Sequence, residues 1–200
     1  MRQDLINYAI ESMNIQLDSR SCLEIRKANY EKGFEITGIR TPLNLIGAEL
    51  YEYYEAIRKG KEHTSIDTLY YLENYVSYPK SLVDLFDRKL KGSPIEELAD
   101  TIIRVMDLCG SDIVAPNLID QINVILSDNK EGVDIFPEGF SRSFGYIINL
   151  ITTPSEQLCN ILAETLMWCY NEDDIEAIDL AVKIKLAYNK ARPHKHGKQF

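Results

Sequence analysis

Apolar residues recur along the chain mainly at intervals of three and four positions, and short alternating runs between turn residues are scarce. This spacing places apolar side chains on one face of an α-helix, whereas a half-buried strand needs strict alternation. The pattern therefore predicts an all-α fold. The predicted helices cover residues 3–17, 21–32, 43–59, 95–108, 141–152, 155–170 and 174–190.

Two helix starts carry the same signal, a hydroxyl residue followed by proline. Thr41 is expected to cap one helix with Pro42 at its first position, and Ser93 and Pro94 repeat the arrangement before residue 95. Glu96 follows Ser93 by three residues, the spacing of a capping box. Between these helices, residues 61–92 are polar and rich in tyrosine, and look like an insertion with one or two short helices on either side of Pro79.

Composition narrows the classes of partner. Twenty-two Lys and Arg against 31 Asp and Glu give a net charge of −9, and 45% of the residues are hydrophobic, as in ordinary globular proteins. Nucleic-acid binding draws on clustered cations, so the acidic balance argues against extended nucleic acid as a partner. Scattered cysteines, no long apolar stretch and no signal core predict a cytoplasmic protein that does not bind membranes.

Two acidic pairs are the strongest chemical signal. Glu49 and Glu52 are three residues apart, as are Glu97 and Asp100, and both pairs have apolar neighbours. Each pair shares a helix face, so four carboxylates converge if the two helices pack side by side. Such a cluster repels itself unless a cation binds, and oxygen ligands favour Mg²⁺ first and Mn²⁺ second. The alternative interpretation is a solvated acidic helix face.

The end of the last helix has the opposite charge. Lys185 and Asn189, four residues apart, share a face, and Arg192 follows them. Lysine as a point charge and arginine as a planar fork suit a phosphate group. The alternative is a solvated basic tail, which is favoured at a helix C-terminus.

Three segments together resemble a known family. They are LIGAELYEYYEAIRKG at residues 45–60, EELADTIIRVMDLCG at 96–110 and KLAYNKARPHKHG at 185–197. In this order they are similar to the MazG-like family of all-α nucleoside triphosphate pyrophosphohydrolases. NYEKGF at residues 29–34 also looks like the segment that precedes the first acidic helix in some members.

The resemblance implies one helical-bundle domain over residues 1–200, with insertions at about 61–92 and 111–173. It implies hydrolysis of a nucleoside triphosphate to the monophosphate and pyrophosphate, and a homo-oligomer, either a dimer or a tetramer. Carried over by position, the metal ligands are Glu49, Glu52, Glu97 and Asp100. Lys185 and Asn189 fall where such enzymes contact phosphate or metal, with Arg192 as a further substrate-binding residue.

The corresponding mechanism is a hypothesis. Mg²⁺ on the four carboxylates would bridge the triphosphate and lower the pKa of a water that attacks phosphorus in line with pyrophosphate. Glu55, one turn further along the acidic face, is the candidate to orient or deprotonate that water. A dUTP or dCTP pyrophosphatase shares this chemistry, and a non-catalytic helical interaction protein is the alternative from another class.

Overall fold

The computed structural model describes residues 16–128 and 155–193. These residues form helices and no strand, which confirms the all-α class. None of the described helices combines the length and the apolar content that crossing a membrane requires. The predicted helix 141–152 and nearly all of the predicted helix 3–17 lie outside the described residues. The helices are α1 (Ser19–Glu31), α2 (Arg40–Arg58), α3 (Ile66–Glu73), α4 (Pro79–Lys89), α5 (Pro94–Cys109), α6 (Leu118–Asp128), α7 (Ser155–Glu172) and α8 (Ile175–Ala191).

Helix α5 is the central element, and it packs against α1, α2, α7 and α8. Its apolar residues lie on more than one side, as expected for a helix enclosed by others. Leu98 and Ile102 belong to a core shared with α1, α2, α6 and α7. Ile95 and Ala99 belong to a second core shared with α3, α4 and α8. Polar residues of α5 are therefore carried into the interior wherever its faces meet α2 and α8.

The predicted start of α5 is confirmed. Ser93 Oγ accepts a hydrogen bond from the backbone N–H of Glu96 at 3.3 Å, and Pro94 is the first helical residue. The predicted cap at Thr41 is wrong, because α2 begins at Arg40 and Thr41 lies inside its first turn. Ile39, before Arg40, already has helical backbone angles (φ −68°, ψ −27°), so the helix extends back past Thr41 without a side-chain cap.

The segment 61–92 folds onto the bundle. Its two helices, α3 and α4, both pack against α8, and Pro79 is the first residue of α4. Leu72 and Phe86 are fully buried in the second core together with Ile184 of α8. This segment therefore covers the side of α8 that the central helix leaves open.

Candidate metal centre

Three of the four predicted ligands converge between α2 and α5. One carboxylate oxygen from each of Glu49, Glu52 and Glu97 lies within 4.8 Å of the other two. Glu49 and Glu97 are buried, at 8% and 6% exposure, whereas Glu52 is exposed. We call these residues the carboxylate triad. Its exposed member means that solvent reaches the triad from one side.

Burial raises the pKa values of the two buried triad members, Glu49 and Glu97. The pKa of Glu97 is raised to about 8, first by burial and then by the negative charges of Glu96, Asp100 and Glu52. Burial also raises the pKa of Glu49, although Arg104 opposes it. Lys185 acts in the opposite direction on the pKa of Glu97, but it does not offset burial and the neighbouring negative charges. An all-oxygen donor set in this state fits a hard divalent ion.

The fourth predicted ligand, Asp100, is bound to a lysine and lies outside the triad. Lys185 Nζ lies 2.6 Å from Asp100 Oδ2 and also pairs with Glu96 Oε1. Burial alone would lower the pKa of Lys185, but the two carboxylates outweigh burial and raise it. The pKa of Asp100 is raised to about 6 because burial outweighs the nearby ammonium group. The four carboxylates predicted to converge therefore form two groups. Three make up the triad, and Asp100 forms an ion pair with Lys185.

Lys185 is enclosed rather than presented to solvent. Its side chain is 6% exposed, and Nζ lies 5.3 Å from the centre of the Phe86 ring and 5.7 Å from that of Tyr188. These two rings stack on each other with centroids 3.9 Å apart. Lys185 was predicted to contact phosphate. Its ammonium group instead pairs with two carboxylates and lies beside two stacked aromatic rings.

Glu96 is a site residue that the sequence reasoning treated as a helix cap. It is 5% exposed, and its carboxylate accepts hydrogen bonds from the backbone N–H of Gly92 and from Lys185 Nζ. One oxygen thus closes the turn before α5 while the other neutralises Lys185. The adjacent pair Glu96 and Glu97 in the first turn was the available signal.

Arg104 was also missed. Its Nε donates to Glu49 Oε1 at 3.1 Å, and its side chain is 29% exposed. Arg104 follows Asp100 by four residues and Glu97 by seven on α5, so helical spacing places all three on one face. That spacing was the signal in the sequence that could have found it.

The other two predicted substrate ligands lie at the end of α8. Asn189 is one turn beyond Lys185, and its buried Oδ1 has no hydrogen-bond partner within the described residues. The guanidinium carbon of Arg192 lies 5.3 Å from the centre of the Tyr188 ring. The backbone carbonyls of Lys190 and Arg192 accept hydrogen bonds from Lys32 Nζ. Lys32 therefore holds this helix end against the end of α1.

Glu55 lies outside the triad, in a surface ion pair. Its carboxylate accepts from Arg58 Nε at 2.7 Å and lies 3.3 Å from Lys59 Nζ. The hydrogen bond from Arg58, supported by Lys59, lowers the pKa of Glu55 to about 2. A carboxyl with so low a pKa is a weak proton acceptor.

Comparisons with protein-family models, with curated proteins and with solved structures find no match to this chain. The MazG-like resemblance stays an expectation that rests on its three motifs. Any functional conclusion therefore depends on the geometry of the triad and its neighbours.

Proposed function

We propose that this protein is a Mg²⁺-dependent nucleoside triphosphate pyrophosphohydrolase that releases the nucleoside monophosphate and pyrophosphate. The observation that carries the proposal is the carboxylate triad, with two buried members from different helices. A solvated acidic face, the simpler interpretation of the sequence, predicts exposed and separated carboxylates. Burial of Glu49 and Glu97 close to Glu52 costs free energy that a bound cation offsets.

The donor set favours Mg²⁺, with Mn²⁺ as a substitute. The ion would be held by Glu49, Glu52 and Glu97. Asp100 lies next to Glu97 and would supply a further oxygen donor if its ion pair with Lys185 opened. Carboxylate oxygens are the ligands that both ions use in proteins. When bound, the ion supplies charge neutralisation for the triphosphate and Lewis-acid activation at phosphorus.

The side chains prepare the site in specific ways. Glu97 holds a proton near neutral pH in the metal-free protein and would release it when a cation binds. Arg104 donates its Nε hydrogen bond to Glu49 Oε1, which holds the guanidinium beside the triad. Lys185 keeps Asp100 and Glu96 in place within the bundle. Preorganised charges of this kind reduce the reorganisation that substrate binding would otherwise require.

Glu52→Gln is the sharpest test, because Glu52 is the exposed triad member and its replacement leaves no buried charge unpaired. Mg²⁺-dependent pyrophosphate release should fall by more than about 100-fold, beyond the usual effect of removing a residue that only supports a ligand. Glu24→Gln is the matched control, since Glu24 is an exposed helical glutamate paired with Arg20. Near-full activity of Glu52→Gln would contradict the proposal.

The substrate panel should contain ribonucleoside and deoxyribonucleoside triphosphates, with dUTP and dCTP among them. A strong preference for either of these two would select the narrower pyrophosphatase alternative. Calorimetric titration with Mg²⁺ and a nonhydrolysable nucleotide addresses the interaction-protein alternative. A non-catalytic scaffold should give no metal-dependent heat.

A further inference from the structure

Two cationic side chains lie close to the triad. They differ in how far their N–H donors are already paired with carboxylates. Lys185 and Arg104 both lower the pKa of Glu49. Lys185 is paired with Glu96 and Asp100 and is almost completely enclosed. A phosphate group would have to compete with these two carboxylates for its ammonium group. Lys185 is therefore poorly placed for the phosphate contact that the sequence suggested.

Arg104 has unused donors. A guanidinium carries five N–H donors, and Arg104 donates its Nε–H to Glu49 Oε1. Within residues 16–128 and 155–193, Nη1 and Nη2 have no hydrogen-bond or ion-pair partner. The nearby carboxylate of Asp107 is paired with Arg26 at 2.8 Å. At 29% exposure the side chain remains accessible to solvent.

We propose that Arg104 is the residue that binds a phosphate group of the substrate's polyphosphate chain. The inference rests on the proposed function and assigns to Arg104 the contact expected of Lys185. The Nε hydrogen bond fixes the fork beside the triad, so its two terminal nitrogens are oriented before a ligand arrives. Planar paired donors match phosphate oxygens in a way that a lysine point charge does not.

The competing explanation is that Arg104 only neutralises and orients Glu49. In that case loss of the Arg104 side chain would change the affinity for Mg²⁺ itself, and the affinity for phosphate would change by the same factor. A phosphate ligand behaves differently, because its loss should leave Mg²⁺ affinity near the wild-type value or raise it by removing a nearby cation. Titration with Mg²⁺ alone and titration with pyrophosphate at saturating Mg²⁺ separate the two.

The experiment uses the full chain as wild type, Arg104→Gln, Arg104→Lys and Arg88→Gln. Arg88 is the matched control, an exposed helical arginine paired with Asp84 on α4. In Arg104→Gln, pyrophosphate binding should weaken by roughly 10- to 100-fold, as expected for loss of a hydrogen bond from a charged group. Arg104→Lys should bind with intermediate affinity, and Arg88→Gln should bind as wild type does.

A second measurement uses the wild-type protein alone, so its result does not depend on whether a variant folds. Phenylglyoxal modifies accessible guanidinium groups, and peptide mass spectrometry reports the extent at Arg104. Pyrophosphate with Mg²⁺ should protect Arg104 but leave Arg88 reactive, and Mg²⁺ alone should not protect Arg104.

The outcomes separate the inference from the function on which it rests. Equal pyrophosphate affinity in wild type and Arg104→Gln, or no protection from phenylglyoxal, overturns the role of Arg104 and leaves the hydrolase proposal standing. Proportional loss of Mg²⁺ and pyrophosphate affinity also overturns it, in favour of positioning. Failure of the wild type to bind Mg²⁺ at all overturns the proposed function and the inference together.

Discussion

Lys185 of α8 and Asp100 of α5 form an ion pair of 2.6 Å whose side chains are 6% and 18% exposed. The pair joins the central helix to α8, which packs against it, and Glu96 shares the same ammonium group. The ammonium group of Lys185 thus offsets part of the free-energy cost of burying Glu96 and Asp100 beside the triad. Within the triad, Glu49 is paired with Arg104, whereas burial and neighbouring negative charges raise the pKa of Glu97 to about 8.

Replacement of Lys185 by methionine should destabilise the protein strongly. Removing one partner of a buried ion pair leaves the other charge unpaired, so we expect a loss of about 3 kcal/mol in the free energy of unfolding. Urea denaturation followed by circular dichroism measures it. Lys183→Met is the matched control on the same helix, since Lys183 is 59% exposed in its pair with Glu73. This control should lose less than about 1 kcal/mol, and equal losses in both variants would contradict the assignment.

The stability of the metal-free protein should fall as the pH rises from about 4.5 to about 8. Across this range folded Glu97 keeps its proton, whereas the unfolded chain, with an ordinary glutamate pKa of 4.5, has released it. The folded state binds more protons than the unfolded state, so the free energy of unfolding decreases as the pH rises. The slope contributed by this one group is at most about 1.4 kcal/mol per pH unit. Urea midpoints measured in EDTA at several pH values provide the test.

The same pH series in Glu97→Gln is the control for this assignment. Glutamine does not titrate, so the decrease in stability between pH 4.5 and 8 should become shallower, while Glu24→Gln should retain it. The raised pKa of Asp100, about 6, leaves a smaller decrease of the same sign. An unchanged slope in Glu97→Gln would show that another group is responsible.

Mg²⁺ should raise the melting temperature of the wild type, and EDTA should reverse the change. A ligand that binds only the folded state at 100 times its Kd stabilises by about 2.7 kcal/mol. Differential scanning fluorimetry with MgCl₂, and with KCl at equal ionic strength, separates binding from screening. Glu52→Gln should lose most of the Mg²⁺ shift. A shift of the same size in this variant would place the ion elsewhere.

Gly110→Ala should weaken the docking of α1 against the end of α5. A Cβ at this position would overlap the backbone carbonyl of Cys22, with its carbonyl carbon only 2.6 Å away. Because backbone atoms must move to relieve the overlap, we expect a loss of about 1 to 3 kcal/mol. Gly38→Ala is the control, since no heavy atom lies within 4 Å of its added Cβ. Thermal melts of both variants give the comparison, and equal melting temperatures would contradict the close approach.

The sequence by itself determined the helical class, the start of α5 at Ser93 and Pro94, and the sharing of a face by each acidic pair. These features depend on periodicity and on neighbouring residues, which act within a single helix. Only the tertiary structure decided which carboxylates meet. Arg104 and Glu49 are 55 residues apart in the chain, and Lys185 and Glu96 are 89 apart. Helical spacing defines a face, whereas the rotation and approach of α2, α5 and α8 decide which side chains on those faces come within bonding distance.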